Sequence, residues 1–308
     1  MANTLHLYLN ADDAAFSFEA DDFNLFKDTH PNIQLEFIES EAELLQQLPT
    51  IEWLDTWYFD ASWFSLAPNL RAIFTPAAGR ENAAVDPQGR VPTYYGTFHG
   101  KMMAESALAL ILHFSLNLPR YQSQQKDEIW QRIPSRLLSN QTALIIGYGN
   151  VGRHTGKLLA SLGMTVWGHQ RQPASKYDDS VRLIPQSDLD EILPLADHII
   201  SFLPGGTATH HFISAARLSL ISPRAFLYNF GRGTTIDEPA LINALQNKRI
   251  AGAGLDVTES EPLPAGSALW QLPNVMLLPH ASSYFEEYRS LHVTEFTKLT
   301  TKIIKHSV

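Results

Sequence analysis

Gly147, Gly149 and Gly152 stand at the spacing G-x-G-x-x-G directly after the apolar run 143–146. In a turn from strand to helix this spacing binds phosphate. The first glycine allows the tight turn, the second lets a pyrophosphate approach the backbone, the third lets the helix pack closely, and the helix amides face the anion. Residues 153–162 continue as a helix and 164–168 as a second strand, so the pattern lies inside a βαβ unit, as dinucleotide binding requires. Further along, an arginine, a carboxylate and a histidine each fall just past a predicted strand: Arg232 after 225–229, Glu261 after 250–256 and His280 after 275–278. In a parallel sheet such positions share the edge where ligands bind. Singly, each has an ordinary reading as a solvated loop charge, a surface glutamate before proline or a structural histidine. Their convergence on the edge that carries the glycine turn points to function.

The elements that position these residues alternate between strand and helix. Residues 5–9, 33–37, 57–59, 69–75 and 92–95 read as short strands with helical, acidic segments between them, which is α/β patterning. A small-residue loop, 76–80, breaks the strand at 69–75. Helical spacing covers 101–120 through Met103, Leu108, Ile111, Leu112 and Leu116, and a domain boundary falls near residue 100. The polar stretch 122–139, with Trp130 and Pro134, reads as a connecting segment. Beyond the glycine turn, strands at 198–202, 225–229, 250–256 and 275–278 join those at 143–146 and 164–168 to give six, with helices from about 214 and at 238–246. Six such strands suit a doubly wound dinucleotide sheet. A final helical pattern spans 286–304, through Leu291, Phe296, Leu299 and Ile303.

A chain of 308 residues is long enough for two domains with their own cores, and 44% hydrophobic with 18% charged residues describes a globular protein. The net charge of −9, with no basic block, excludes general attraction to nucleic acid or an anionic membrane. Cysteine is absent, which removes disulfide and thiolate chemistry and suits a reducing cytoplasm. The longest apolar run, 107–112, is too short to span a bilayer, and the opening residues lack the pattern of a signal peptide, so a cytoplasmic location is expected. H-E-x-x-H, a Walker loop and G-x-S-x-G are all missing. The twelve histidines are scattered, and His210 and His211 read as a helix-start pair on the surface, so no metal is expected.

In its second half the chain resembles the D-isomer-specific 2-hydroxyacid dehydrogenases. GYGNVG (147–152), SFLPGGTAT (201–209), NFGRGTTID (229–237), GAGLDVTESEPLP (252–264) and LPHASS (278–283) match that family's blocks in order and spacing. The resemblance implies a smaller flavodoxin-like substrate domain, 1–100, completed by the C-terminal helix 284–308, and a Rossmann NAD(P)-binding domain, 101–283. Carried over by position, Arg232 is similar to the family's substrate-binding arginine, Glu261 to its carboxylate partner and His280 to its acid/base histidine. Cofactor contacts are implied for Gly147, Tyr148, Gly149, Asn150, Val151 and Gly152, for Leu203, Pro204 and Thr209 on the adenosine side, and for Phe230, Gly231, Asp256 and Ser282. Asp256 is implied at the nicotinamide carboxamide. The first half matches more loosely. There Ala78 and Gly79 resemble the family's loop that holds a substrate carboxylate, Arg80 and Glu81 depart from its usual residues, and His99 stands as a further substrate-side candidate.

The chemistry agrees with this reading. Reduction of a 2-oxo acid needs a hydride at C2, a proton at the carbonyl oxygen and a carboxylate held still. An arginine fork can hold carboxylate and carbonyl together. A histidine supplies a proton near neutral pH, and a glutamate on its far nitrogen favours the charged imidazole. The resemblance points most to glyoxylate and hydroxypyruvate reductases, with a small 2-oxo acid as substrate, and implies a homodimer. Suggestive resemblance extends to Trp130 and Trp270. An alternative on the same fold is a dinucleotide-sensing binding protein or corepressor.

Cofactor choice is read from the end of the second strand, where NAD-selective sites place an acid for the ribose hydroxyls. Here that position falls on Gln170, followed by Arg171, with no carboxylate until Asp178. A neutral amide removes the repulsion against a 2′-phosphate and a guanidinium offers it a forked partner, so NADPH is expected to be preferred, with NAD possible.

Overall fold

The computed structural model describes residues 4–173, 175 and 177–306. They divide into two compact units, one formed by the described residues up to 99 with those from 284 onward and the other by those between 100 and 283. In chain order the first runs β1 (Thr4–Tyr8), α1 (Asn24–Thr29), β2 (Gln34–Phe37), α2 (Glu41–Gln47), β3 (Trp53–Thr56), β4 (Ala72–Thr75) and β5 (Thr93–Tyr95). The second opens with α3 (Gly100–Ser115), α4 (Leu118–Lys126), β6 (Thr142–Ile146), α5 (Asn150–Ser161), β7 (Thr165–His169), β8 (Tyr177–Asp178) and β9 (Val181–Ile184). It continues through α6 (Leu189–Ile192), β10 (His198–Ser201), α7 (Ala215–Leu220), β11 (Phe226–Asn229), α8 (Glu238–Gln246), β12 (Gly252–Leu255) and β13 (Val275–Leu277). The last helix, α9 (Tyr288–His306), belongs to the first unit.

The first sheet is parallel in the order β2-β1-β3-β4-β5. That is the flavodoxin-like winding. Its third strand lies at 53–56 and not at the expected 57–59, because the strand carries a polar pair that hides its pattern. Asp55 is fully buried and accepts a hydrogen bond from His292 Nε2 of α9 at 2.8 Å, while Thr56 Oγ1 donates to the carbonyl of Tyr58.

The second sheet, among the described residues, has the order β13-β12-β11-β10-β6-β7-β9-β8, with every pairing parallel except β8 with β9. The winding reverses between β6 and β10, the switch point where doubly wound sheets bind ligands. Alternate residues feed two cores: Leu144, Ile146, Ile199 and Leu227 pack on one face, and Ala143, Ile145, Ile200 and Tyr228 on the other. Two strands exceed the six expected. In β9 only Val181 and Ile184 are buried, and β8 is two residues long, so neither reads as a strand in sequence. The helix expected over 101–120 ends at Ser115 and restarts at Leu118. Asn117 adopts a left-handed φ of 59°, and Pro119 opens the next helix, which runs to Lys126 inside the stretch expected to be a connection. Among the described residues no single helix is long and apolar enough to cross a membrane.

Each unit buries a histidine whose titration opposes folding. His198 shares hydrogen bonds with Tyr228 Oη (2.9 Å) and Gln141 Oε1 (2.7 Å), and His99 Nε2 with Tyr288 Oη (3.1 Å). Burial pushes both down from 6.5 to about 4, and for His99 the neighbouring His292 adds to the effect. The unfolded chain therefore binds more protons than the folded one between these values, so stability present above pH 6.5 is lost as the pH falls towards 4. Each histidine should cost roughly 2 kcal/mol at about pH 5. The urea midpoint is expected to fall between pH 7 and pH 5, and Tyr288→Phe should leave that fall in place. An equal midpoint at the two pH values would contradict the assignment.

Candidate active site

At the end of β6 the three glycines separate by role. Gly147 has a φ of +88°, and a Cβ there would lie 3.0 Å from the backbone of Phe202. A Cβ on Gly152 would meet the carbonyl oxygen of Gly147 at 2.6 Å, so that position sets how closely α5 seats on the turn. At Gly149, by contrast, nothing lies within 4 Å of a Cβ, and this residue caps α5 without a side chain on the first-turn amides. An open approach over helix amides is what a pyrophosphate needs, and it lies at the switch point of the sheet. Asn150 and Val151 begin α5 at this opening. Tyr148 turns inward: its ring is buried against Gly156 and Gly168, its amide donates to the carbonyl of His169, and its hydroxyl donates to Asp178 Oδ2 at 3.2 Å. Burial pushes that hydroxyl well up. The side chain of Tyr148 therefore serves the packing of the turn.

The loop after β10 closes on itself, because Thr209 Oγ1 donates to the carbonyls of Pro204 (2.6 Å) and Gly206 (3.1 Å). Leu203 is buried beneath it, and a Cβ on Gly231 would stand 2.2 Å from the carbonyl oxygen of Leu203, so the loops after β10 and β11 meet backbone to backbone. Phe230 is buried and stacks on Phe202, with ring centroids 5.6 Å apart. Arg232 follows on a loop fixed by its own backbone. Asn229 Nδ2 and Thr235 Oγ1 donate to the Arg232 carbonyl at 3.0 and 2.6 Å, and Asn229 Oδ1 accepts from the amide of Gly231. The guanidinium is half-buried and donates to the carbonyl of Gly231 at 2.9 Å. Asn229 is a positioning residue that sequence reading missed; an asparagine ending a strand before a glycine loop is the signal that could have found it.

Glu261 and His280 come together across the ends of β12 and β13. His280 Nδ1 is 2.8 Å from Glu261 Oε2, and Glu261 Oε1 accepts from the amide of Thr258. With Nδ1 held by the carboxylate, the ring's other nitrogen is left to a ligand. His280 has a φ of 53°, a strained setting for a non-glycine residue that active sites often retain. Asp256 holds the turn in that setting. Its carbonyl accepts from the His280 amide at 2.8 Å, its Oδ1 accepts from the amides of Ala281 and Ser282 at 2.7 and 3.0 Å, and its Oδ2 accepts from Ser282 Oγ. Burial raises the Asp256 carboxyl, against the opposing pull of those donors. Both Asp256 and Ser282, expected at the cofactor, are thus engaged in shaping the His280 turn. A cavity of about 590 Å³ lies against the pair, with Leu263, Trp270, Leu277 and Pro279 among its walls.

At the end of β7, Gln170 Nε2 donates to the Tyr148 carbonyl at 2.7 Å and Arg171 is exposed. Asp178 is already occupied by Arg153 Nε (3.1 Å), Lys157 Nζ (3.5 Å) and the Tyr148 hydroxyl. In the first unit, Ala78 is exposed and Gly79 half-exposed on the loop after β4, and the Arg80 guanidinium lies 5.4 Å from the centre of the Tyr95 ring. His99 is buried and reaches that loop indirectly, through Tyr288, whose hydroxyl donates to the Pro76 carbonyl at 3.2 Å.

Residues 108–282 match the family model described as D-isomer specific 2-hydroxyacid dehydrogenase, NAD binding domain. Glyoxylate/hydroxypyruvate reductase B of Pectobacterium carotovorum subsp. carotovorum strain PC1 is 32% identical over 239 residues, 75% of this chain and 74% of that protein. The protein of the same name from Citrobacter koseri is 30% identical over 280 residues, 84% of this chain and 82% of that one. Among solved structures, a D-isomer specific 2-hydroxyacid dehydrogenase from Xanthobacter autotrophicus Py2, in complex with NADPH and MES, superposes with a TM-score of 0.82 at 25% identity, covering 97% of this chain and 94% of that one. With a dinucleotide turn at the switch point and a paired histidine and glutamate on the same sheet edge, the chain belongs to the D-isomer specific 2-hydroxyacid dehydrogenases and is an NAD(P)-dependent oxidoreductase.

Proposed function

We propose that this enzyme is a cytoplasmic reductase of small 2-oxo acids such as glyoxylate or hydroxypyruvate, with NADPH preferred over NADH. The observation that carries the reading is the 2.8 Å hydrogen bond between Glu261 and His280, which leaves Nε2 of the imidazole to serve a substrate oxygen. Arg232 grips the substrate carboxylate and carbonyl in its fork, and Ala78 and Gly79, with Arg80 beside them, are assigned to the carboxylate. His280 gives its proton to the carbonyl oxygen as that oxygen becomes an alcohol, and Glu261 steadies the charged imidazole before transfer. Gly147, Gly149 and Gly152 hold the cofactor pyrophosphate, with Leu203, Pro204 and Thr209 on its adenosine side. When bound, the reduced nicotinamide supplies the hydride for C2. His99 is a positioning residue for the substrate loop. The substrate assignment is supported by the names of the relatives from Pectobacterium and Citrobacter.

NADPH preference is supported by the exposed Arg171 and the neutral Gln170 at the end of β7, and by the engagement of the nearby Asp178 in ion pairs. A forked contact to the 2′-phosphate worth roughly 1.5–3 kcal/mol corresponds to about a tenfold to hundredfold preference. Initial rates with glyoxylate and hydroxypyruvate, measured with both cofactors, should give kcat/KM higher with NADPH by that factor, and Arg171→Ala should remove most of the difference. Equal efficiency in the parent, or binding of cofactor with no turnover of either acid, would overturn the proposal.

A homodimer built through the second unit completes the reading. Trp130 is fully exposed, and Ile129 and Leu137 beside it are also solvent-facing, which is apolar surface of the kind that partners cover. Light scattering should give twice the 34.5 kDa chain mass, and the mass of one chain would reject the dimer.

A further inference from the structure

His210 and His211 do not open a helix, as their sequence suggests. They lie in a turn ahead of α7, whose cap is Ser214, and they face the loop that follows β12. The two imidazoles stack with ring centres 4.0 Å apart and planes within 24°. His211 Nε2 is shielded from solvent without a hydrogen-bond partner and points at Glu259 Oε1, 3.5 Å away. One nitrogen from each histidine and one carboxylate oxygen of Glu259 all lie within 4.8 Å of one another, and this is the group of that kind found among the described residues. The backbone at two of the three positions is pinned independently. The His211 amide donates to the Thr234 carbonyl at 2.8 Å, which holds its φ at 48°, and the Glu259 amide donates to Glu238 Oε2 at 2.9 Å.

We propose that His210, His211 and Glu259 form a binding site for a zinc-class divalent cation. Two imidazole nitrogens and one carboxylate oxygen are donors for Zn²⁺, Co²⁺, Ni²⁺ or Cu²⁺, whereas Mg²⁺ prefers an all-oxygen shell. In a tetrahedral zinc site with bonds of about 2.0–2.1 Å, donor atoms stand about 3.3 Å apart. His211 Nε2 and Glu259 Oε1 already approach that separation. His210 is exposed, so rotation of its ring completes the set, with water in the fourth position. The site joins the loop that ends the Thr209 closure to the loop that carries Glu261, two residues beyond Glu259. An orphaned buried nitrogen aimed at a carboxylate is the arrangement that a cation resolves.

The test is calorimetric titration of ZnCl₂ into the full-length, tag-free protein after treatment with a chelator, with MgCl₂ as control, and a parallel absorption titration with CoCl₂. The expected result is one equivalent of Zn²⁺ per chain, no heat from Mg²⁺, and visible cobalt bands of four-coordinate intensity. His210→Ala and Glu259→Gln change exposed side chains, so both variants should keep the parent melting curve while Zn²⁺ affinity falls at least tenfold in each. No saturable Zn²⁺ binding in the parent, or parent-like affinity in either variant, would overturn the site.

Discussion

Replacing His280 by Ala is expected to lower kcat by about 10² to 10⁴-fold, the contribution of a positioned general acid. The Kd for NADPH should stay near the parent value, because the turn keeps its shape without the imidazole. That shape comes from Asp256, which accepts from the amides of residues 280, 281 and 282, and none of these bonds involves the His280 side chain. Stopped-flow binding and steady-state turnover on the same preparation separate the two effects. Near-parent turnover in the variant would remove His280 from the proton transfer, and a collapse of cofactor binding would recast it as a structural residue.

Arg232→Ala should raise KM for the 2-oxo acid and also lower kcat, with kcat/KM falling by about tenfold to hundredfold for loss of a charge-assisted bond of roughly 1.5–3 kcal/mol. The loop itself survives the change, since Asn229 and Thr235 hold the backbone carbonyl at position 232 and not the guanidinium. Arg232→Lys keeps the charge and loses the fork, so it should recover only part of the deficit. A substrate response unchanged in Arg232→Ala would contradict the carboxylate grip. Asn229→Ala gives a contrast: it leaves the guanidinium present and loosens the loop, so its effect should follow that of Arg232→Ala at reduced size.

What could be read before folding was local. The glycine turn follows from three residues and the strand beside them; Gly147 and Gly152 then proved to answer separate steric demands, while Gly149 leaves the approach to the helix amides open. The doubly wound architecture was legible for the same reason, since strand and helix alternate along the chain with few interruptions. What stayed hidden depends on partners far away in sequence. Asp55 made a core strand look polar because its partner, His292, lies 237 residues on. β8 and β9 escaped because a two-residue strand and one with two buried positions give almost no periodic signal. The break at Asn117 needed a left-handed residue that sequence permits but does not require. At the site, what sequence could not show is that the Asp256 carboxylate also holds the turn that presents His280, through bonds to residues 25 and 26 positions further on. Strand ends placed Glu261 and His280 on one edge, and their hydrogen bond is the structural consequence.

The most direct measurement is the fate of a labelled hydride. The parent enzyme is supplied with hydroxypyruvate and NADPH carrying deuterium at the transferable C4 position, and the 2-hydroxy acid formed is examined by NMR and mass spectrometry. The account predicts deuterium at C2 of the product, in a single configuration, with one label gained per cofactor oxidised. Cofactor oxidation without label at C2, or no 2-hydroxy acid at all, would contradict it.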